Sequence, residues 1–317
     1  MISLKELSEK LKKEKDVAIF CHIRPDGDTL GSALALSLAL NNLGIKAQVF
    51  CDDVVPPRFF FLNGAKSVKG ALDKEYQTLI AIDCADGGRL GSFYDYFATH
   101  KNTYSVDHHI SNTRYAKVNY VFDRASNCEN VLALLEQMQV DITPEIANLL
   151  LMGIMTDTGN FKHKNVKSET LFSASKLVEK GADINTIHYH MFTKQSKERA
   201  CLFGLTMSKI RYFLDGKFGV ATISQKDLAT SGAKQDETEG FIDFLMGVDG
   251  LEVGACVLEM SKNKYKVSFR SKGADVNAVA GVFGGGGHLL ASGCQIQGEY
   301  EEIIDKICYA VKQNITE

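Results

Sequence analysis

Four times in the first half of this 317-residue chain, an apolar segment ends on an acidic or imidazole side chain. Val17-Ala-Ile-Phe-Cys21 leads into His22-Ile-Arg-Pro-Asp26-Gly-Asp28, and Leu79-Ile-Ala-Ile82 leads into Asp83. Tyr104-Ser-Val106 leads into Asp107-His108-His109, and an apolar helical stretch closes at Asp157-Thr-Gly159. The first three runs are too short for helices and read as strands covered on both faces. Lys46 to Cys51 reads as a further strand. Helical patterns alternate with them at Thr29–Leu43, Glu129–Met138, Pro144–Met155 and Glu169–Lys180. Thr143 is placed as an N-cap, with Pro144 at the first helical position. The alternation predicts an α/β fold with a doubly wound, mostly parallel sheet. The carboxyl ends of such strands share one edge, where ligands bind. Three of the four clusters are expected at that edge.

Taken singly, each cluster has an ordinary reading: an Asp after a strand caps a helix, and a His pair faces solvent. Taken together they place Asp26, Asp28, Asp83, Asp107 and Asp157 with His22, His108 and His109 in one cleft. Such a set repels itself unless cations neutralise it. Mixed oxygen and imidazole donors suit manganese or a similar divalent ion. The set is too histidine-rich for calcium and too poor in thiolate for structural zinc. Two such ions about 3.5–4 Å apart, bridged by a carboxylate, form an arrangement that hydrolyses phosphate esters.

Beyond about Gly181 the rhythm changes. Ile184 to Tyr212 is mostly helical, Phe218–Ile223 is a strand, and Gly254–Met260 with Tyr265–Ser271 reads as a hairpin turning at Lys262-Asn263. A helix over Asp275–Val282, a short strand near Cys294–Ile296 and a terminal helix from Tyr300 follow. We expect a first domain over 1–185, a helical linker over 186–212 and a smaller α+β domain over 213–317. In the hairpin, Tyr265, Val267 and Phe269 alternate with Lys264, Lys266, Ser268 and Arg270, so one face is apolar and the other cationic. Most of those lysines need be no more than a solvated face, but Arg270 can grip phosphate with two parallel bonds. The run Gly284–Gly287 before His288 is either a flexible connector or a nest of N–H groups for an anion.

Asp plus Glu total 39 against 36 Lys plus Arg, a formal charge of −3 that speaks against binding long nucleic acid. The longest uncharged apolar stretch, Ala33–Leu40, is far short of the roughly 18–20 residues of a membrane span. The charged N-terminus lacks a signal-peptide core, so a cytoplasmic location is expected. Eight scattered cysteines form no Cys-x-x-Cys pair and read as free, mostly buried thiols.

His-x-x-Pro-Asp-x-Asp, an isolated Asp after the third strand, Asp-His-His and Thr-Asp-Thr-Gly, in that order, resemble the DHH phosphoesterase superfamily. Val267-Ser-Phe-Arg270-Ser271 and Gly-Gly-Gly-His288 resemble the DHHA1 domain that follows many DHH domains, so the likeness spans roughly residues 15–312. The resemblance implies one metal on His22, Asp26 and Asp83, and a second on Asp28, Asp83, His108 and Asp157, with Asp83 bridging. It implies that Asp107 orients an imidazole and that His109 faces the scissile phosphate. Arg270, Ser271, Gly285, Gly286, Gly287 and His288 would hold the rest of the substrate, with the active site between the domains. The implied cofactor is a pair of divalent cations, Mn2+ foremost, with Mg2+ or Co2+ as alternatives.

Length and motif order are most similar to the NrnA-type subfamily. That implies short RNA oligonucleotides and 3′-phosphoadenosine 5′-phosphate (pAp) as substrates, no long nucleic acid, and a homodimer through the first domain. A phosphodiesterase for linear or cyclic di-adenosine messengers is the rival reading. A family II pyrophosphatase is disfavoured because its Ser-Arg-Lys-Lys-Gln segment is absent, and a catalytically dead nucleotide regulator because the ligand set is complete. Two positions depart from the family pattern: Cys128, where Thr is usual, and Phe161-Lys162-His163, where Phe-Arg-aromatic is common. Neither is expected to touch a metal ligand, so both bear on substrate preference.

Overall fold

Residues 17 to 21 alternate between two buried cores. Val17, Ile19 and Cys21 pack with one set of helices, while Ala18 and Phe20 pack with Phe50, Phe93 and Phe97 on the other side. This double burial is why the run is apolar throughout. The computed structural model describes residues 1–315 and divides into two units, Met1–Lys194 and the part from Gln195 onward.

The first unit comprises α1 (Leu4–Leu11), β1 (Asp16–Phe20), α2 (Gly27–Asn42), β2 (Lys46–Phe50), β3 (Thr78–Ile82), α3 (Tyr94–Thr99), β4 (Thr103–Asp107), β5 (Val118–Val121), α4 (Asn127–Gln137), α5 (Pro144–Asp157), α6 (Ser168–Glu179) and α7 (Ile184–His188). Its strands pair in the order β2-β1-β3-β4-β5, all parallel, as the alternation of elements predicts. Two elements had weak sequence signals. Helix α1 is short and held by a reciprocal Ser3–Glu6 capping box, and β5 has only four residues on the sheet edge.

Helix α2 starts at Gly27 rather than at the expected Thr29, because the Asp26 carboxylate accepts the N–H groups of Asp28 and Thr29 as an N-cap. That start puts Asp28 in the first helical turn. Helix α5 begins as expected, with the Thr143 side chain accepting Ile146 N–H and Pro144 in the first turn. The two helices meet backbone to backbone. A Cβ on Gly31 would collide with Leu149 O, and one on Gly153 would collide with Cys128 Sγ and lie 2.9 Å from Asp28 Oδ1.

The second unit comprises α8 (Lys197–Met207), β6 (Arg211–Phe213), β7 (Phe218–Ile223), α9 (Gln225–Ser231), α10 (Phe241–Leu245), β8 (Val253–Ser261), β9 (Lys264–Ser271), α11 (Val276–Gly281), β10 (Gly286–His288), β11 (Ala291–Gln297) and α12 (Tyr300–Lys312). Its sheet runs β10-β11-β9-β8-β7-β6, with only β7 and β8 parallel. The apolar face of β9 (Tyr265, Val267, Phe269) joins Ile303, Ile304 and Ile307 of α12 in one core. The helical stretch expected to link the domains divides between the units. Helix α7 belongs to the first, and Leu202 of α8 is buried with Ile223, Leu228 and Phe241 of the second. Among the described residues, no helix is long and apolar enough to cross a membrane.

The close helix contact makes a stability prediction. Gly153→Ala should cost about 1–3 kcal/mol by overpacking. Gly204→Ala, on α8 with nothing within 4 Å of its would-be Cβ, should be neutral or slightly stabilising. Urea denaturation of both variants measures the contrast.

Candidate metal centre

The ends of β1, β3 and β4 and the C-terminus of α5 converge on Asp83. Asp83 follows β3 with φ +57°, a left-handed conformation that costs a non-glycine residue roughly 1–3 kcal/mol. Its N–H donates to Val106 O at 3.0 Å, which anchors the turn on β4. Its two carboxylate oxygens face different imidazoles. Oδ2 lies 3.6 Å from His22 Nε2, which is also 3.5 Å from Asp26 Oδ2. Oδ1 lies 3.4 Å from His108 Nε2, which is also 3.6 Å from Asp157 Oδ2 and 3.9 Å from Asp28 Oδ2. Two groups result, His22–Asp26–Asp83 and Asp28–His108–Asp157. Within each, the donor atoms lie within 4.8 Å of one another. A third such group joins Asp83 and His108 to His109.

The chemistry of these donors fits divalent cations. His22 Nδ1 is 2.8 Å from Ile23 O and His108 Nδ1 is 3.1 Å from Arg124 O, so each ring spends its Nδ1 proton on a backbone carbonyl. That fixes the tautomer in which Nε2 presents a lone pair to the cluster. Asp83 Oδ1 is sealed from solvent with no hydrogen bond, a buried acceptor that a cation would satisfy. Metal-free, protons take the cation's place. Burial opposes charge on His22, but hydrogen bonding to Asp26 and Asp83 outweighs it and pushes the pKa up to about 10. His108 likewise overcomes burial, through Asp83 and Asp28, and also reaches about 10. Burial and the neighbouring Asp83 and Asp157 carboxylates push Asp28 well above the usual carboxylate range. Asp157 rises to about 6, chiefly through burial.

Further residues hold this cluster in place. Asp107 is fully buried, and its Oδ1 lies 2.8 Å from His109 Nδ1 while also accepting His108 N–H. Asn112 donates to Asp107 Oδ2 at 2.6 Å and to Cys84 O, locking that carboxylate. Asn112 carries no motif, and only its position five residues after Asp107 could have marked it. Asp28 accepts the N–H groups of Asn127 and Cys128, the first two residues of α4, so a helix N-terminus supports its charge.

This corrects the expectation for both departures from the family pattern. Cys128 touches Asp28 through its own N–H, and its thiol is buried against Ser32 between α2 and α5. His163 Nδ1 lies 3.4 Å from Asp157 O. Each therefore adjoins a candidate ligand instead of standing apart from the cluster.

The remaining expected residues lie in the second unit. Arg270 pairs with Ala291 on β11, and Ala291 pairs with His288 on β10, which puts Arg270 and His288 in one row across three strands. Ser271 donates its hydroxyl to Ala274 O. The anion nest expected at the glycines is not formed. Gly284 and Gly285 donate to Gly281 O and Ala280 O, and Gly287 donates to Asn277 Oδ1. Two of the four positions require glycine because the run lies hard against β11: a Cβ on Gly285 would collide with Gly293 O, and one on Gly287 would lie 2.6 Å from Ala291 O.

Comparison with known proteins identifies the family. Residues 16–154 match the DHH family, N-terminal domain, and residues 215–317 match the DHHA1 domain. A bifunctional oligoribonuclease and PAP phosphatase NrnA from Thermus thermophilus is 31% identical, over 98% of this chain and 94% of its own. The chain belongs to the DHH–DHHA1 phosphoesterase family. The NrnA of Mycoplasma pneumoniae is 29% identical over 95% of this chain and 94% of its own, and that of Bacillus subtilis 24% over 92% of each. In fold, the chain resembles an exopolyphosphatase-related protein from Bacteroides fragilis, with a TM-score of 0.81 over 98% of this chain and 95% of that one. DHH phosphoesterases depend on metal, and the acidic and imidazole groups gathered here are of a kind to bind it.

The proton-filled cluster predicts a pH dependence. Folded pKa values near 10 at His22 and His108, above the unfolded value of about 6.5, contribute stability that is complete below pH 6.5 and lost as pH rises through 10. Asp157 and Asp28, also raised, act with the same sign. The melting temperature of chelator-treated protein should therefore fall from pH 6.5 to 10, and manganese should flatten the fall. Equal profiles with and without metal would contradict the assignment. Metal uptake at pH 7 should also release protons, measurable by calorimetry in buffers of different ionisation enthalpy.

Proposed function

We propose that this phosphoesterase uses two divalent cations, Mn2+ foremost, to degrade short oligoribonucleotides to mononucleotides and to remove the 3′-phosphate of pAp. The observation that carries the reading is Asp83, whose two oxygens each face a separate imidazole–carboxylate group. The full-length likeness to NrnA proteins supports the choice of substrates. His22, Asp26 and Asp83 would hold one cation, and Asp28, Asp83, His108 and Asp157 the other. Bound there, the cations would lower the pKa of water and neutralise charge on the phosphoryl group.

The protein's own residues supply position and charge. Asp26 and Asp83 hold the His22 ring, and Asp28 keeps its carboxylate aimed by two helix amides. His109 is half-buried, with Nδ1 on Asp107, whose hydrogen bond raises the imidazole pKa despite partial burial. Its Nε2–H is then available to a phosphoryl oxygen, stabilising the charge that grows there as water adds and the ester P–O bond breaks. Asp107 stays ionised because hydrogen bonds from His109 and Asn112 overcome its burial. Asp107 thus acts as a positioning residue.

Asp83→Ala should abolish turnover and metal content together, and a variant retaining both would remove the bridging role. His109→Ala should keep its metal while kcat falls by about 10²-fold or more. A manganese turnover panel of pAp, 5′-phosphorylated dinucleotides to pentanucleotides, cyclic di-AMP and pyrophosphate measures substrate choice. Turnover of pAp and the short oligonucleotides is expected, and dominance of cyclic di-AMP would transfer the chain to the messenger-phosphodiesterase reading.

A further inference from the structure

Helix α7 carries an aromatic ridge on the surface of the first unit. Ile187 is buried and Met191 packs against the same core, which turns the residues between them outward. The helix continues past His188 into one π-type turn over Tyr189–Thr193, closed by the Lys194 N–H on Tyr189 O at 2.7 Å. None of the five residues of that turn is buried, and Tyr189 and Phe192 are 52% and 41% exposed. Turns of this kind are rare and gather at functional sites. The rings contact one another. His190 stacks flat on Phe61, with centroids 4.2 Å apart and planes 5° apart, and Tyr189 meets His190 edge-on at 5.4 Å. The His188 ring lies 5.7 Å from that of Phe192.

One flank of the ridge is joined to the candidate metal centre through the turn after α5. Gly159, Asn160 and Phe161 are all left-handed, with φ of +55°, +59° and +63°. Two consecutive non-glycine residues in that region need strong local support. Here the Asn160 N–H donates to Met155 O at 2.6 Å, and Phe161 packs against the core. The turn sets the Asn160 amide 3.2 Å from His188 Nδ1, three residues beyond Asp157. The other flank, beside Phe61, is cationic. Arg58 lies 5.0 Å over the ring of Phe59, and Lys66 lies 5.7 Å over that of Phe60, which is 39% exposed. Among the described residues neither cation forms an ion pair. The carboxylates of the same loop are engaged elsewhere: Asp52 accepts the Ser92 N–H and hydroxyl, and Asp53 accepts the Arg24 N–H. Phe172 on α6 offers a contrast. It is exposed with Lys176 5.1 Å over its ring, but that lysine is paired with Glu136 at 2.8 Å.

Exposed rings beside unpaired cations match a ligand with flat apolar faces and evenly spaced negative charges, which is the chemistry of a single nucleic-acid strand. A second copy of the chain would instead bring the same cations against each other. We propose that the ridge stacks bases of an oligoribonucleotide that lie beyond the nucleotide at the candidate metal centre. His188 and Phe192, on the flank joined to Asn160, meet the first such base, Tyr189 meets the next, and Arg58 and Lys66 offset phosphate charge. The inference rests on the oligoribonucleotide reading above and extends it to residues of the first unit outside the metal cluster. It also separates the two substrates, because pAp has no second base to place on the ridge.

The test compares a Tyr189→Leu/Phe192→Leu double variant with Phe172→Leu, the same change at an exposed ring off the ridge, in the full chain. Leucine keeps an apolar side chain and removes the π face, so it separates stacking from general apolar contact. Binding of a fluorescently labelled 5′-phosphorylated pentaadenylate is measured on chelator-treated protein, which reads the ridge even if nothing is turned over. With manganese, the ratio of KM for pentaadenylate to KM for pAp is measured as well. The double variant should weaken pentaadenylate binding about tenfold or more and raise the KM ratio by a similar factor. Phe172→Leu should change neither, and Phe192→Trp should bind at least as tightly as the unaltered chain. Pentaadenylate binding by the double variant equal to that of Phe172→Leu would overturn the proposal. So would a shift from dimer to monomer in sedimentation with RNA binding unchanged, which would make the ridge an interface between copies. Loss of pentaadenylate binding without turnover of any nucleotide would overturn the proposed substrates and leave the ridge standing. Turnover of oligoribonucleotides with affinity indifferent to the ridge would do the reverse.

Discussion

The first unit is organised around a carboxylate that the backbone can place only at some cost. Asp83 ends the central strand of a parallel sheet in a left-handed conformation, with one oxygen toward His22 and the other toward His108. Each neighbouring strand contributes one side of this arrangement: β1 leads into His22, and β4 ends at Asp107 and leads into His108 and His109. A central strand in a doubly wound sheet is the place from which one side chain can reach groups on both flanking strands. Parallel pairing puts all three carboxyl ends on one edge, so a shared ligand between two imidazole groups follows from topology. The strain at Asp83 is of the kind that persists where the surroundings over-determine it, here through the bond from its N–H to Val106 O.

That arrangement depends in turn on how closely two helices approach. Asp28 and Asp157 come from opposite ends of the sequence of elements, the start of α2 and the end of α5. They share a site because Gly31 and Gly153 let the helices approach closely, with the Cys128 thiol set against both glycines. The same packing buries Asp28 until only the first amides of α4 and a nearby cation can support its charge. Buried carboxylates, carbonyl-directed imidazole tautomers and an unsatisfied Asp83 oxygen are therefore connected consequences of one close-packed edge.

The parts of this structure that could be read from the chain are those written in local pattern. Doubly buried strands announce themselves as apolar runs, and the polar residue ending each run marks the sheet edge. The groups that orient the cluster are less legible, because backbone atoms do much of the work. Ile23 O and Arg124 O set the imidazole tautomers, and the amides of Asn127 and Cys128 hold Asp28. A carbonyl or an amide looks the same at every position in a sequence. Cys128 looked like a point of substrate contact because its side chain was the only thing visible there, yet its N–H meets the Asp28 carboxylate while its thiol reaches only the Asp28 backbone carbonyl. The glycine run misled for a related reason. Consecutive glycines permit both an anion nest and a close strand pair, and only the positions of Gly293 O and Ala291 O on β11 distinguish them.

Net charge shows the same limit in another form. A total of −3 averages over a first unit that concentrates carboxylates around Asp83 and a second unit whose β9 face displays Lys266 and Arg270 without full ion pairing. Two divalent cations in the first unit would carry the total to slightly positive, so the acidic excess is largely a property of the metal-free state. Binding of long nucleic acid depends on many phosphate contacts spread over a basic surface. On β9, Lys266 and Arg270 share one strand face across from Asp236 and Glu239, so the positive charge there is short and locally offset. The total alone is therefore a poor guide to partners, because it sums a carboxylate-rich cluster in one unit with cations displayed in the other.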